Sequence, residues 1–143
     1  MSSQTLHFPA ELHYLIEHQV WARIDTDRRA TVGITSLGIS LAGEIYMCRP
    51  RQAGTEVEQG RSIAVVELAK SIVSVKSPVT GTVLETNTLL AQRPELVHLD
   101  PYGQGWIARV QLADSLDGID ALLHGEPVAA AMAEHARLYR IEP

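Results

Sequence analysis

Apolar positions change their period several times along the chain. Near the start, Leu12, Leu15, Ile16 and Val20 recur at helical spacing behind Pro9, a residue suited to a first helical turn, which predicts a short helix. Residues 20–24 and 30–34 are strand-like instead, and the Asp residues of Asp25-Thr26-Asp27-Arg28-Arg29 predict a turn joining them into a hairpin. Residues 36–42 read as a short helix ended by Gly43, and 44–48 as a strand closed by the breakers Pro50 and Gly54.

The middle of the chain is a series of short β-prone runs, at 55–57, 62–68, 72–76 and 82–85, with turns at Gln59-Gly60 and Ser77-Pro78-Val79-Thr80-Gly81. Gly54-Thr55-Glu56-Val57-Glu58 is echoed by Gly81-Thr82-Val83-Leu84-Glu85, so two similar units flank the hairpin between them. A long ordered connection from Asn87 to Gly105 leads to a strand at 106–112, and helical patterns follow at 115–123 and 127–140. Val128, Met132 and Leu138 give the last helix a modest apolar stripe for packing, with fraying expected at Ile141-Glu142-Pro143. The spacing predicts a mainly β fold, a small sandwich or flattened barrel with flanking helices.

Lys70 stands out against this pattern. The turn Ala69-Lys70-Ser71 joins two Val- and Ile-rich runs without the Gly, Asn or Asp that short hairpin loops usually carry. If Leu68 and Ile72 are exposed beside it, they form an apolar collar around one amine.

Composition narrows the function. With 143 residues, 45% hydrophobic and 20% charged, the chain has the size of one globular domain, spanning 1–143. No apolar run approaches the roughly 20 residues that span a bilayer, and the N-terminus shows no secretory leader, so neither a membrane partner nor export is expected. A net charge of −5 disfavours nucleic acid, because Arg28-Arg29 and Arg49-Pro50-Arg51 are too few cations to reverse it, and suits basic enzyme surfaces instead. The lone Cys48 excludes an internal disulfide, fits the reducing cytoplasm, and reads as a small buried hydrophobe. His7, His13, His18, His98, His124 and His135 have no metal-ligand spacing, and Gly103-Gln104-Gly105 lacks the third glycine of a dinucleotide fingerprint. No acid–base pair is identifiable, so a non-enzymatic role is expected.

Ala30-Thr31-Val32-Gly33-Ile34-Thr35, Val66-Glu67-Leu68-Ala69-Lys70, Ser77-Pro78-Val79-Thr80-Gly81-Thr82-Val83, and Pro94-Glu95-Leu96-Val97 leading to Asp100-Pro101-Tyr102-Gly103-Gln104-Gly105-Trp106 together carry a resemblance. Over about 16–123 the chain resembles the H protein of the glycine cleavage system, a lipoyl carrier. The resemblance implies a flattened barrel-sandwich hybrid of two antiparallel sheets with a lysine-bearing hairpin, and the patterned region 127–140 becomes a helical extension. It also implies covalent lipoate on Lys70, with Glu67, Leu68, Ala69 and Ser71 as the context read by a lipoate ligase or lipoyl transferase.

The sequence departs from that family at the carrier's working surface. The family's glutamate near the start and histidine after Gly-Ile-Thr line the cargo's cavity; here the matching segments read His18-Gln19-Val20-Trp21 and Ser36-Leu37, which leaves Leu37 as the candidate cavity residue. A cavity without those polar groups is poorly made to hold an amine-bearing adduct. In this the chain is more similar to the H-like lipoate-binding proteins of sulfur-oxidising prokaryotes, which work with a heterodisulfide-reductase-like complex and are thought to carry lipoate-bound sulfur. The alternatives are an H protein serving the glycine cleavage enzymes, including a dihydrolipoyl dehydrogenase, or a lipoate relay.

Overall fold

The computed structural model describes residues 6–113 and 117–139. In chain order the strands are β1 (His13–Leu15), β2 (Val20–Ile24), β3 (Arg29–Ile34), β4 (Met47–Pro50), β5 (Glu56–Val57), β6 (Ser62–Glu67), β7 (Ile72–Lys76), β8 (Gly81–Thr86) and β9 (Ala108–Leu112). The helices are α1 (Ser36–Ala42), α2 (Leu96–Leu99) and α3 (Pro127–Tyr139). All named strand pairs are antiparallel, in a six-stranded sheet ordered β1-β2-β3-β9-β8-β5 and a three-stranded sheet ordered β4-β6-β7. The two sheets face one another without closing into a barrel.

Alternation along β2 explains the layering. Val20 and Ala22 point into the main core, where Ala64, Val66 and Val75 of the smaller sheet meet them. Trp21 points the other way, into a second core with Leu12, Tyr14, Leu37, Val128 and Met132, which α1 and α3 cover. Trp21 lies opposite Gly33, where an added Cβ would sit 2.6 Å from the indole Cζ2. The indole N–H lies 3.2 Å from the carbonyls of both Ile34 and Pro101.

That second contact shows what the segment from Asp100 to Trp106 does. The Asp100 carboxylate accepts the Gln104 N–H at 2.9 Å, the Asp100 carbonyl accepts the Gly105 N–H at 2.8 Å, and the buried Asn87 amide donates to the carbonyls of Gln104 and Trp106 at 2.6 and 2.8 Å. The connection is thus folded on itself and braces the tryptophan. Trp106 is partly buried against the second core, and the strand starts after it, at Ala108.

Several expected elements differ. The N-terminal helix is replaced by β1 and a 3-10 turn at Ile16–His18, because Leu12 and Tyr14 enter the second core with a period of two, and Tyr14 exchanges both backbone hydrogen bonds with Leu123 at 2.8 Å. The strand expected at 44–48 forms at Met47–Pro50 instead. The 87–105 connection holds a 3-10 turn at Thr88–Ala91 as well as α2. Of the helix expected at 115–123, residues 115 and 116 lie outside the described residues, and Asp117–Ala121 is a 3-10 turn. In α3, Val128 and Met132 are buried as the stripe requires, but Leu138 is 62% exposed. The fraying expected at Ile141-Glu142-Pro143 lies outside the described residues.

Candidate functional site

β6 and β7 build one continuous hairpin, with Val66 opposite Val73 and Glu67 opposite Ile72. Its last rung is the Leu68 N–H donating to the Ser71 carbonyl at 2.8 Å, which leaves Ala69 and Lys70 as a two-residue tip. Neither of them has a positive φ, so the tip has no need of Gly, Asn or Asp. Ala69, Lys70 and Ser71 are exposed, while Ala64, Val66 and Val75 at the base are buried in the main core. A stiff base and an exposed end present the Lys70 amine to solvent at the end of the smaller sheet.

The surroundings of the tip are asymmetric. Leu68 is partly buried against the main core, so it anchors the hairpin and does not join a collar. Ile72 and Val73, 69% and 43% exposed, are the apolar surface beside Lys70. The Glu67 carboxylate accepts from Arg49 Nε at 2.9 Å, and the Glu67 carbonyl accepts the Tyr46 N–H at 2.8 Å. Both bonds tie the hairpin to β4 or the residue before it. Arg49 was legible in the sequence as a charge, but its partner depends on the β4 register, which places Met47 opposite Glu67 and Arg49 two residues along on the same face, opposite Val65.

Leu37 is fully enclosed in the second core, in a different layer from Lys70. Gln19, at the other departure from the family pattern, is buried in a left-handed conformation at φ 54°. Its Oε1 accepts from Thr35 Oγ1 at 2.6 Å and its Nε2 donates to the Ile16 carbonyl at 2.9 Å. Thr35 Oγ1 in turn accepts the Gly38 N–H at 2.9 Å and caps α1. These two positions are therefore occupied in holding α1 on the sheet.

Cys48 is 2% exposed, and burial pushes its thiol up to about 12, so it stays protonated and unreactive at neutral pH. Among the described residues no three His, Cys, Asp or Glu side chains are grouped to hold a metal ion. One constellation has no local signature at all: the His13 and His124 rings stack 4.2 Å apart, although 111 positions separate them in sequence. The functional group the hairpin offers is a primary amine. It can form an amide with a carboxylate that another protein has activated.

The family model for "Glycine cleavage H-protein" matches residues 12–135. The chain is 43% identical to the glycine cleavage system H protein of Marinobacter nauticus over 125 residues, covering 85% of this chain and 95% of that protein. It is 41% identical to the one of Halorhodospira halophila over 124 residues, with the same coverage of each. Against glycine cleavage system H protein 2 of Aquifex aeolicus it is 35% identical over 127 residues, covering 89% of this chain and 79% of the relative. The crystal structure of a glycine cleavage system H protein from Mycobacterium marinum superposes with a TM-score of 0.71 at 26% identity, covering 94% of this chain and 100% of that one. These names give the sulfur-oxidation expectation no support; they favour the alternative, glycine cleavage.

Proposed function

The chain belongs to the glycine cleavage H-protein family of lipoyl carriers, and on that premise we propose that it is the H protein of a glycine cleavage system, with lipoate in amide linkage to Lys70. The observation that carries this reading is the position of Lys70 at the exposed end of a hairpin rooted in the main core. Only one other lysine exists, Lys76, and it is half-buried within β7 opposite Ser62. The fold thus offers a ligase one amine at a hairpin tip.

Acylation requires Lys70 Nζ to lose a proton and attack an activated carboxyl carbon, releasing the activating group and forming the amide. The positive charge disappears, and the formal total moves from −5 to −6. When bound, lipoate supplies a disulfide–dithiol couple that takes up and gives up the aminomethyl cargo. The chain's own residues give it reach and direction: the Leu68–Ser71 rung fixes the tip, Leu68 anchors it, and the Arg49–Glu67 pair ties its flank to β4. The partners on this reading are a lipoate ligase or lipoyl transferase and the glycine cleavage enzymes, including a dihydrolipoyl dehydrogenase. The carrier itself is not a catalyst, and the buried thiol suits a reducing cytoplasm. No helix among the described residues is long and apolar enough to cross a membrane.

Co-expression with a lipoate ligase should add one lipoyl mass, mapped to Lys70 and abolished in Lys70→Arg. An unmodified wild-type chain, in cells that modify an authentic H protein, overturns the proposal. A second reading, a carrier of lipoate-bound sulfur for a heterodisulfide-reductase-like complex, is favoured by one observation: Leu37 and Gln19 are buried and engaged where the family's cargo cavity is polar. The glycine decarboxylase exchange assay separates the two. Fully lipoylated protein that fails there, beside an active control, excludes the glycine cleavage role and leaves the carrier role standing.

A further inference from the structure

The outer face of the smaller sheet has a charge opposite to that of the rest of the chain. Strand register sets out its rows: Met47, Glu67 and Ile72 nearest the tip, then Arg49, Val65 and Ser74, then Lys76 and Ser62. Arg51 continues the outward side of β4 into the last row, where its Nε donates to the Ser62 carbonyl at 3.0 Å. Arg49, Arg51 and Lys70 are exposed and Lys76 is half-buried. The one carboxylate in these rows, Glu67, is already paired with Arg49.

Four cations against one carboxylate make this face formally +3. The chain has 12 Lys and Arg and 17 Asp and Glu, so the remaining 8 cations and 16 carboxylates leave −8 on the rest. Arg61, beside this face, is offset by Glu58 at 3.9 Å and does not change the balance. The overall charge of −5, which suggested a basic partner, is therefore a poor guide to the surface around Lys70.

We infer that the outer face of β4, β6 and β7 is the docking surface for the enzyme that acylates Lys70, and that this enzyme meets it with an acidic surface. The inference rests on the lipoyl reading of Lys70. Any enzyme that acylates the tip must approach within reach of its amine, and the basic rows continue directly from that tip. Charges of this kind act mainly by steering encounter, so they set the association rate and its salt dependence. Exposed Ile72, beside the amine, supplies the apolar contact that a purely electrostatic encounter lacks. Acylation removes the Lys70 charge, lowering the face to +2, so the product is steered less strongly than the substrate.

The test is steady-state acylation of the full chain by a lipoate ligase encoded in the same genome. The wild-type kcat/KM should fall about tenfold between roughly 20 and 300 mM NaCl, as the screening length shortens. Arg51→Gln with Lys76→Gln, which leaves the Arg49–Glu67 pair intact, should lower kcat/KM about threefold or more at low salt, with kcat nearly unchanged. The reversal Arg49→Glu, Arg51→Glu, Lys76→Glu should lower it more than tenfold and flatten the salt dependence, while Arg137→Gln on α3 leaves both unchanged. Circular dichroism separates misfolding from lost docking, and the milder double variant decides the matter if the triple one is unfolded. A salt-independent wild-type rate, or a folded double or triple variant within about 1.5-fold of wild type, overturns the inference while the lipoyl reading stands. A wild-type chain that is never acylated, beside an authentic H protein that is, takes down both.

Discussion

Gly33 and Gln19 show how much a single position can hide. Gly33 is read easily as a β-bounded glycine of a motif, but its reason is Trp21, whose ring occupies the space of a Cβ. Gly33→Ala should cost about 1–3 kcal/mol by overpacking, seen as a lower urea midpoint with an unchanged slope. Gln19 looks in the sequence like a lost acid. In the structure it is a buried amide using both donor and acceptor, toward Ile16 and toward Thr35. Restoring the acid with Gln19→Glu removes the donor to Ile16 and buries a carboxyl group, so stability should fall by roughly 1–3 kcal/mol. Acylation of Lys70 should be unaffected, because the change lies in a different layer from the hairpin. Lys70 was legible because its signal is local, a charge alone between two apolar runs. The role of Gln19 was not, because it depends on a left-handed backbone and on partners brought together only by the fold.

Elements were legible where their apolar period and their pairing partner agree. The run at 72–76 matches β7 because its pairing partner, β6, lies just across a short turn. β1 was missed because Leu12, Leu15, Ile16 and Val20 fit a helical spacing while Leu12 and Tyr14 fit a strand, and the remote Leu123 backbone decides between them. Helix α1 was legible from its C-terminal end at Gly43, and the cap that the structure adds at its start, Thr35, is testable. Thr35→Val removes the acceptor for the Gly38 N–H and the donor to Gln19 in a wholly buried site. The loss should be about 1–2 kcal/mol for the cap alone, with the orphaned Gln19 oxygen adding to it. Thermal denaturation of Thr35→Val beside Thr35→Ser separates the loss of the hydroxyl from the loss of the methyl group, because Ser keeps the hydroxyl and both of its bonds. At the hairpin, the expected collar of Leu68 and Ile72 became an anchor and an exposed residue, since adjacent hairpin positions face opposite sides of the sheet.

At the scale of the whole molecule, the segments around Tyr14 and Leu123 are tied together by contacts that no local pattern in the sequence announces. Leu123 pairs with Tyr14, the His124 ring lies on His13, and His124 Nδ1 is 2.9 Å from the Leu12 carbonyl. His13 Nδ1 is buried without a hydrogen-bond partner. Burial first, and then repulsion from a charged His124, hold His13 below its ordinary value of 6.5. The acidic groups nearest in sequence, Glu11 and Glu126, are exposed, and Tyr14 and Arg23 point to the opposite face of the sheet, so among the described residues no carboxylate offsets this. As the pH falls through 6.5 the unfolded chain takes up a proton that the folded one refuses, and stability falls with it. The loss continues down to the folded value and then stops, with a slope of at most about 1.4 kcal/mol per pH unit for each proton of difference. His135 on α3 is displaced in the same direction by burial, so two histidines contribute. Urea midpoints should therefore drop between pH 7.5 and 5.5. His13→Phe, which keeps an aromatic ring against His124, should flatten part of that slope, and His13→Phe with His135→Gln should flatten more. An unchanged slope in both variants would mean that these histidines take up protons as readily in the folded chain as in the unfolded one, and that the acid sensitivity has another source.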